Sequence, residues 1–311
     1  MKRGDVPGRL NLALPHDQEV LSVDGMLVAG RSKSIGLVMN TPIATMSEYL
    51  SEVVAGLLCG AETQQVNVTL FTCTIPGPGR SALDALTRLC RAREVAGIIL
   101  MWSSGIDAAI QILQRESLPF VVFGRRVNDP LVSWIAPDNY RGAYSATRHL
   151  IALGHRRIAY IAYPEMGTTN TDRLAGFSAA HQDERLPIDE SLIIPLPVEP
   201  ESGYQALRSL IERPTPPTAV FAFNDTTAAQ MQRAAIDLGR RVPNDLAVVG
   251  FGGLHISATA APSLTTVSAG MAIMAEQAVE MLMGRLANPE KPALRRMTPV
   301  SLIVRASTIG V

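Results

Sequence analysis

Residues 217–267 read PTAVFAFNDTTAAQMQRAAIDLGRRVPNDLAVVGFGGLHISATAAPSLTTV. Ala219 to Phe223 is a short apolar run, the pattern of a strand covered on both faces. Asn224 and Asp225 follow at once and can cap a helix that starts near Thr226. Ala229, Met231, Ala234, Ala235 and Leu238 then return at helical spacing until Gly239 stops the helix. Val242-Pro243 restarts the chain in extended form, and Leu246 to Phe251 is a second buried strand. A strand, helix, strand unit of this length implies a right-handed parallel crossover.

The same alternation extends upstream to Ser34. Strands are predicted at Ile35–Met39, Val66–Phe71, Ala96–Met101, Pro119–Phe123, Arg157–Ala162 and near Ile193. Helices are predicted over about Ser47–Gln64, up to Ala92, Ala108–Glu116, Tyr140–Leu153, Arg173–Glu184 and Ser202–Glu212. Ile75-Pro-Gly-Pro-Gly79 is a connector, and residues 1–33 are a poorly periodic leader. At 311 residues and 47% hydrophobic content the chain can bury two moderate cores, and the alternation favours two α/β lobes with doubly wound parallel sheets.

Lys plus Arg equal Asp plus Glu at 28 each, so the body of the chain carries no basic footprint for nucleic acid. Cys59, Cys73 and Cys90 sit in apolar segments, which suits reduced thiols and a cytoplasmic protein. The first residues are broken by Asp5, Pro7, Arg9 and Pro15 before any apolar run of signal length, and no apolar segment is long enough to span a membrane.

Ligands of open parallel sheets bind beyond the carboxyl ends of the strands. Residues there include Asn40, Trp102, Ser103, Ser104, Arg125, Tyr163, Asn224 and Gly252. They mix aromatic faces with amide, hydroxyl and guanidinium donors, which suits a small polar ligand in a cleft between two facing edges. The alternative for any one of them is a turn former or helix cap.

Several short segments occur in the order and spacing of a known family. They are Arg31 to Gly36, Asp138-Asn139, His149 to Ile158, Arg173-Leu-Ala-Gly-Phe177, Asn224-Asp225, Val242 to Phe251 and Pro262 to Val267. Over residues 31–311 the chain resembles the LacI/GalR transcriptional regulators, whose core is similar to type I periplasmic sugar-binding proteins. The resemblance implies two lobes joined by three crossover strands, with 34–136 and 270–297 in the first and 138–265 and 298–311 in the second. It also implies a homodimer, and a sugar, sugar acid or sugar phosphate as effector. The effector shifts the lobe arrangement and thereby DNA binding. No cofactor, metal or membrane is implied.

The same resemblance places Arg173 in the cleft as donor to ligand oxygens and gives Asn224 a donor and an acceptor for ligand hydroxyls. The alternatives are an ion pair on the helix for Arg173 and an N-cap for Asn224. Trp102, Arg125, Tyr163, Asn40, Tyr49, Phe223 and Gly252 complete the candidate ligand set. Two departures stand out. The family's acidic residue after Gly-Phe is replaced by Gly252-Gly253, which together with Arg125 and Arg126 tilts the expected ligand towards a carboxylate or phosphate. The family's helix-turn-helix head and hinge are not recognisable in residues 1–33, where Val23 to Gly30 resembles at most the end of a hinge, so operator DNA is expected only through a head not recognisable here.

Catalysis has no apparatus in the sequence. There is no Gly-x-Ser-x-Gly elbow, no phosphate loop and no dinucleotide fingerprint, and His149 and His155 lack partners at metal-like intervals. The reading is the effector-sensing core of a regulator and not an enzyme. A solute-binding protein serving a sugar transporter is the alternative, against which the missing signal peptide counts.

Overall fold

A computed structural model describes residues 34–40, 47–73, 81–197, 199 and 201–309. The predicted leader and its hinge-like segment, Thr41, and the 75–79 connector lie outside the described residues. The chain begins with alternating β1 (Ser34–Met39), α1 (Ser47–Thr63), β2 (Asn67–Thr72), α2 (Ala82–Ala92), β3 (Gly97–Met101), α3 (Ile106–Arg115), β4 (Phe120–Phe123) and β5 (Trp134–Pro137). It continues with α4 (Asn139–Ala152), β6 (Ile158–Ala162), α5 (Thr168–Asp183), β7 (Ile193–Pro195), α6 (Ser202–Ile211) and β8 (Ala219–Phe221). The last elements are α7 (Asp225–Asp237), β9 (Ala247–Gly252), α8 (His255–Thr259), β10 (Thr265–Ser268), α9 (Met271–Ala287), β11 (Arg295–Thr298) and β12 (Ser301–Ile303).

These strands form two six-stranded sheets, ordered β11-β5-β4-β3-β1-β2 and β12-β10-β9-β8-β6-β7. Every pairing is parallel except β10 with β12, the one antiparallel edge. The inner strands are short Val, Ile and Phe runs buried along their length, such as β3 (GIILM) and β4 (FVVF), because helices cover both faces. At the sheet edge β2 is mostly exposed, and only Val68 and Phe71 are half-buried, one against each face of the sheet.

On one face of the first sheet α2 and α3 cover Leu86, Ile98, Leu100, Ile110 and Val122. Ser81 starts α2 with a capping box, its hydroxyl accepting from Asp84 N at 3.1 Å while the Asp84 carboxylate accepts from Ser81 N at 3.4 Å. The second sheet has a corresponding layer in which α6 and α7 cover Val220, Met231 and Val248. The remaining faces share one continuous cluster, from Leu37, Val53 and Val279 to Tyr160, Phe177 and Phe251.

The chain passes between the sheets at Pro137–Asn139, Ser268–Met271 and Thr298–Ser301. Asp138 occupies the first passage and caps α4 by accepting from Arg141 N at 3.0 Å. The α1 and α9 helices pack closely enough that a Cβ on Gly56 would overlap the Ala272 carbonyl.

Two expectations change. First, α5 begins at Thr168, five residues before the predicted start near Arg173. The Thr-Thr-Asn-Thr segment 168–171 reads as a poor helix, yet Thr168 Oγ1 donates to Arg126 O at 2.7 Å and Thr171 Oγ1 to Gly167 O at 3.2 Å, so both hydroxyls have backbone partners. Second, Asn224 alone caps α7, and Asp225 turns inward. The apolar residues of α9 mostly serve its own lobe. Met271, Met274, Val279, Met281 and Leu282 are buried, Met283 packs on the core, and Ile273 is 63% exposed.

Candidate functional site

The carboxyl ends of the two sheets face each other, and Arg173 in the second turn of α5 lies at the centre of their junction. Its side chain is only 5% exposed. Nε donates to Asn139 Oδ1 at 2.9 Å and Nη1 donates to Phe223 O. Its guanidinium carbon lies 4.4 Å from the Phe223 ring centroid and 3.6 Å from that of Phe251, so two aromatic faces sandwich the cation. Burial pushes the guanidinium down from its usual range to about 10, opposed by Tyr160, Tyr49 and Asp225. Nη2 has no hydrogen-bond partner among the described residues.

Around this centre the protein's own polar groups are tightly committed. Phe223 packs against Tyr163 with the rings tilted by 58° and their centroids 4.8 Å apart, and the Tyr163 hydroxyl bonds Thr227 Oγ1 at 2.7 Å. Asn224 Oδ1 accepts from Thr227 N at 2.8 Å, which leaves its amide nitrogen as the free end of the cap. Asp225, fully buried, accepts from Leu254 N at 2.7 Å and from Thr266 Oγ1 at 2.5 Å. Burial nevertheless raises its carboxyl to about 6, with Thr266, the backbone donors and Arg173 pulling the other way. Tyr49 comes from α1 in the other lobe, and burial pushes its phenol up to about 12 against the pull of Arg173.

The other predicted residues hold the lobe junction. Asn40 Oδ1 accepts from Ser103 N at 2.8 Å and Ser103 Oγ at 3.0 Å, which ties the ends of β1 and β3. Trp102 does not present its ring to Arg173. It is 4% exposed within the cluster under α2 and α3, and its carbonyl faces Arg125. Arg125 Nη1 donates to Trp102 O at 3.0 Å and Ser103 O at 2.5 Å, while Nη2 reaches across to Met166 O at 3.0 Å. Next to it Arg126 forms a two-pronged pair with Asp172 of α5, at 2.9 and 2.7 Å. On the opposite side of the junction Glu48 accepts from Ile256 N at 3.1 Å.

Gly252 opens onto a separate cavity of about 240 Å³ at the crossovers, lined also by Glu52, Ser268 and Met271. A larger groove of about 470 Å³ lies between β7 and α6, lined by Leu196, Gln205 and Arg213, and contains none of the predicted residues. Chemistry and not size therefore marks the site. The structure gathers Arg173, Phe223, Tyr163, Asn224 and Tyr49, and sets Asn40, Trp102, Arg125 and Gly252 around them.

Sequence reading missed Asn139, Tyr160, Thr227 and Phe251 as site residues, and it placed Asp225 just past a strand without taking it into the ligand set. Asn139 and Asp225 stood inside quoted motifs, but nothing in their spacing says which way they turn. His149 and His155, in contrast, bond Thr308 at 2.9 Å and Thr218 at 3.0 Å, and among the described residues no cluster of three or more His, Cys, Asp or Glu could hold a metal.

The family model described as periplasmic binding protein-like domain matches residues 147–308. The chain belongs to this family. Within it the chain has the effector-binding core of a LacI/GalR-type transcriptional regulator. It is 29% identical over 260 residues to the HTH-type transcriptional repressor PurR of Actinobacillus pleuropneumoniae serotype 3 (strain JL03), covering 84% of this chain and 76% of the repressor. Among solved structures it is similar to the transcriptional regulator CelR in complex with cellobiose, with a TM-score of 0.82, 28% identity and coverage of 89% of this chain and 85% of that one. A LacI-type regulator of Bacillus cereus subsp. cytotoxis gives a TM-score of 0.82 at 28% identity, covering 90% and 99%. These relatives are regulators of transcription, and the two parallel-sheet lobes of this core match theirs. No described helix is long and apolar enough to cross a membrane.

Proposed function

We propose that this regulator core binds a small polyhydroxy effector at the lobe junction, with Arg173 as anchor and Asn224, Tyr163, Phe223 and Tyr49 around it. The observation that carries the reading is a guanidinium 5% exposed, clamped by Asn139 and two aromatic rings, whose Nη2 has no partner among the described residues. A donor held so rigidly at the meeting of two lobes suits a ligand oxygen. The related CelR was solved with cellobiose, a polyhydroxy compound.

The lobes are assigned as 34–136 with 270–297 and 138–265 with 298–311. Because the chain crosses three times, they can tilt about the crossovers but cannot part. An effector that contacts both lobes favours the arrangement it bridges, and in a homodimer that preference alters the spacing of DNA-binding heads on an operator. The setting is the cytoplasm, and the protein carries out no catalysis.

A thermal-shift screen against sugars, sugar acids, sugar phosphates and nucleobases tests this. An effector at a hundred times its dissociation constant adds about 2.7 kcal/mol of stability. A hit whose stabilisation survives Arg173→Ala unchanged would remove Arg173 from the site.

A further inference from the structure

Two guanidinium groups are buried at the lobe junction, and neither has an ion-pairing carboxylate among the described residues. Arg125 is 7% exposed and Arg173 is 5% exposed. The hydrogen bonds of Arg125 all go to backbone carbonyls, those of Trp102, Ser103 and Met166. Those of Arg173 go to a neutral amide and a carbonyl. The nearest buried acid, Asp225, already accepts from Leu254 N and Thr266 Oγ1. Arg126, one residue further on, pairs with Asp172 at 2.7 Å, whereas the carboxylate that acts on the buried Arg125, that of Asp107, does so only through space and forms no ion pair with it.

Buried charges are ordinarily paired. Arg125 adds a second sign of an unfilled partner, because its Nε is buried and has no hydrogen-bond acceptor. Nε and one hydrogen of Nη2 form the side-on edge of a guanidinium, the edge that takes both oxygens of a carboxylate or two of a phosphate. Gly252 and Gly253 bring no acid to the junction either.

We infer that the effector is anionic, a polyhydroxy compound bearing a carboxylate or phosphate, and that Arg125 is the residue that selects for the charge. This rests on the reading of the lobe junction as the effector site. Arg173 holds the polyhydroxy body, and the anion meets the side-on edge of Arg125 where the two lobes close on it. Met166 O keeps the second hydrogen of Nη2, so the anion and the closing lobe share one guanidinium. Selection and closure are thereby coupled through a single side chain.

Calorimetry with matched pairs tests the inference: gluconate against glucitol, galactonate against galactitol, and glucose 6-phosphate against glucose, on the full chain. At least one acid should bind on the order of 100-fold more tightly than its neutral mate, as expected of a charge-assisted pair. The acid and phosphate arms identify which anion it is. Arg125→Gln should reduce the ratio of acid to neutral affinity about 10-fold or more, whereas Arg126→Gln should keep it. Should Arg125→Gln not fold, Arg125→Lys keeps the charge without the side-on edge and should still weaken the acid selectively.

A preference that survives both Arg125 variants overturns the inference, as does a wild-type protein that responds to none of the acids. Binding of neutral compounds as tight as that of the acids, abolished by Arg173→Ala, overturns the charge class and keeps the effector site. Silence towards both members of every pair overturns both.

Discussion

Replacing Arg173 by Met separates what the residue does for folding from what it does for binding. The guanidinium sits at about 10 instead of its usual 12.5. A shift of that size means the charged form is disfavoured in the folded protein by on the order of 3 kcal/mol. At neutral pH the side chain is charged in both folded and unfolded states, so the folded protein carries that penalty in full. Met fills similar length without charge and removes it. Against this, Asn139 Oδ1 and Phe223 O lose their donors, at about 1–3 kcal/mol each. The opposing contributions nearly cancel, so Arg173→Met should change stability in urea denaturation by no more than about 2 kcal/mol. Affinity for an effector found by screening should meanwhile fall about 10- to 150-fold, the worth of a hydrogen bond to a charged group. A loss above about 4 kcal/mol with effector affinity unaltered would make Arg173 a structural strut and refute the reasoning.

Three further outcomes are expected. Asp225 titrates near 6 in the fold, above an unfolded value of about 4, so its contribution to stability is full below about pH 4 and is lost as pH rises through 6. Asp225→Asn should therefore remove on the order of 3 kcal/mol of pH dependence between pH 4 and 7.5, and parallel stability profiles for the two proteins would contradict this. Gly252→Asp, which restores the acid found in relatives, should cost about 1–3 kcal/mol, because φ is +139° there and the new Cβ would stand 3.2 Å from Asp225 Oδ2; an unchanged Tm would count against it. Gly56→Ala should lower stability by about 1–3 kcal/mol by forcing α1 away from α9, and calorimetric unfolding at the wild-type temperature would show that the helices can shift without loss.

Most of the framework was legible because buried parallel strands and their covering helices leave strong periodic patterns. Residues 219–251 read as strand, helix, strand, and the observed β8, α7 and β9 fall within a residue or two of that reading. The start of α5 was not legible, since threonines 168 and 169 owe their place to carbonyls of a distant loop. The site was half legible. Arg173 was singled out because its motif is distinctive, but Asn139, which orients it, lies 34 positions upstream. Trp102 was expected to face the ligand because it follows a strand, whereas its ring is apolar enough to be drawn under α2 and α3. Position along a strand tells where a backbone ends, and packing decides where the side chain goes. Gly252 illustrates the same limit in backbone terms, for its positive φ, which strains any side chain placed there, is invisible in the sequence.

The three passages between sheets have a consequence for synthesis. The first sheet begins with β1 at Ser34 but receives β11 only at Arg295–Thr298, and α1 finds its packing partner only when Met271–Ala287 has been made. On the ribosome five of the first lobe's six strands, β1 to β5, are made by Pro137, well before the second lobe reaches five of its own at Ser268, yet the first lobe goes without α9 and β11 until Thr298 has been added. Domains that are continuous in sequence fold as they emerge, amino-terminal first. Here the amino-terminal lobe starts first but cannot finish, and with Val53 and Leu57 of α1 lacking their cover until α9 is made, it is the part of the nascent protein most in need of a chaperone.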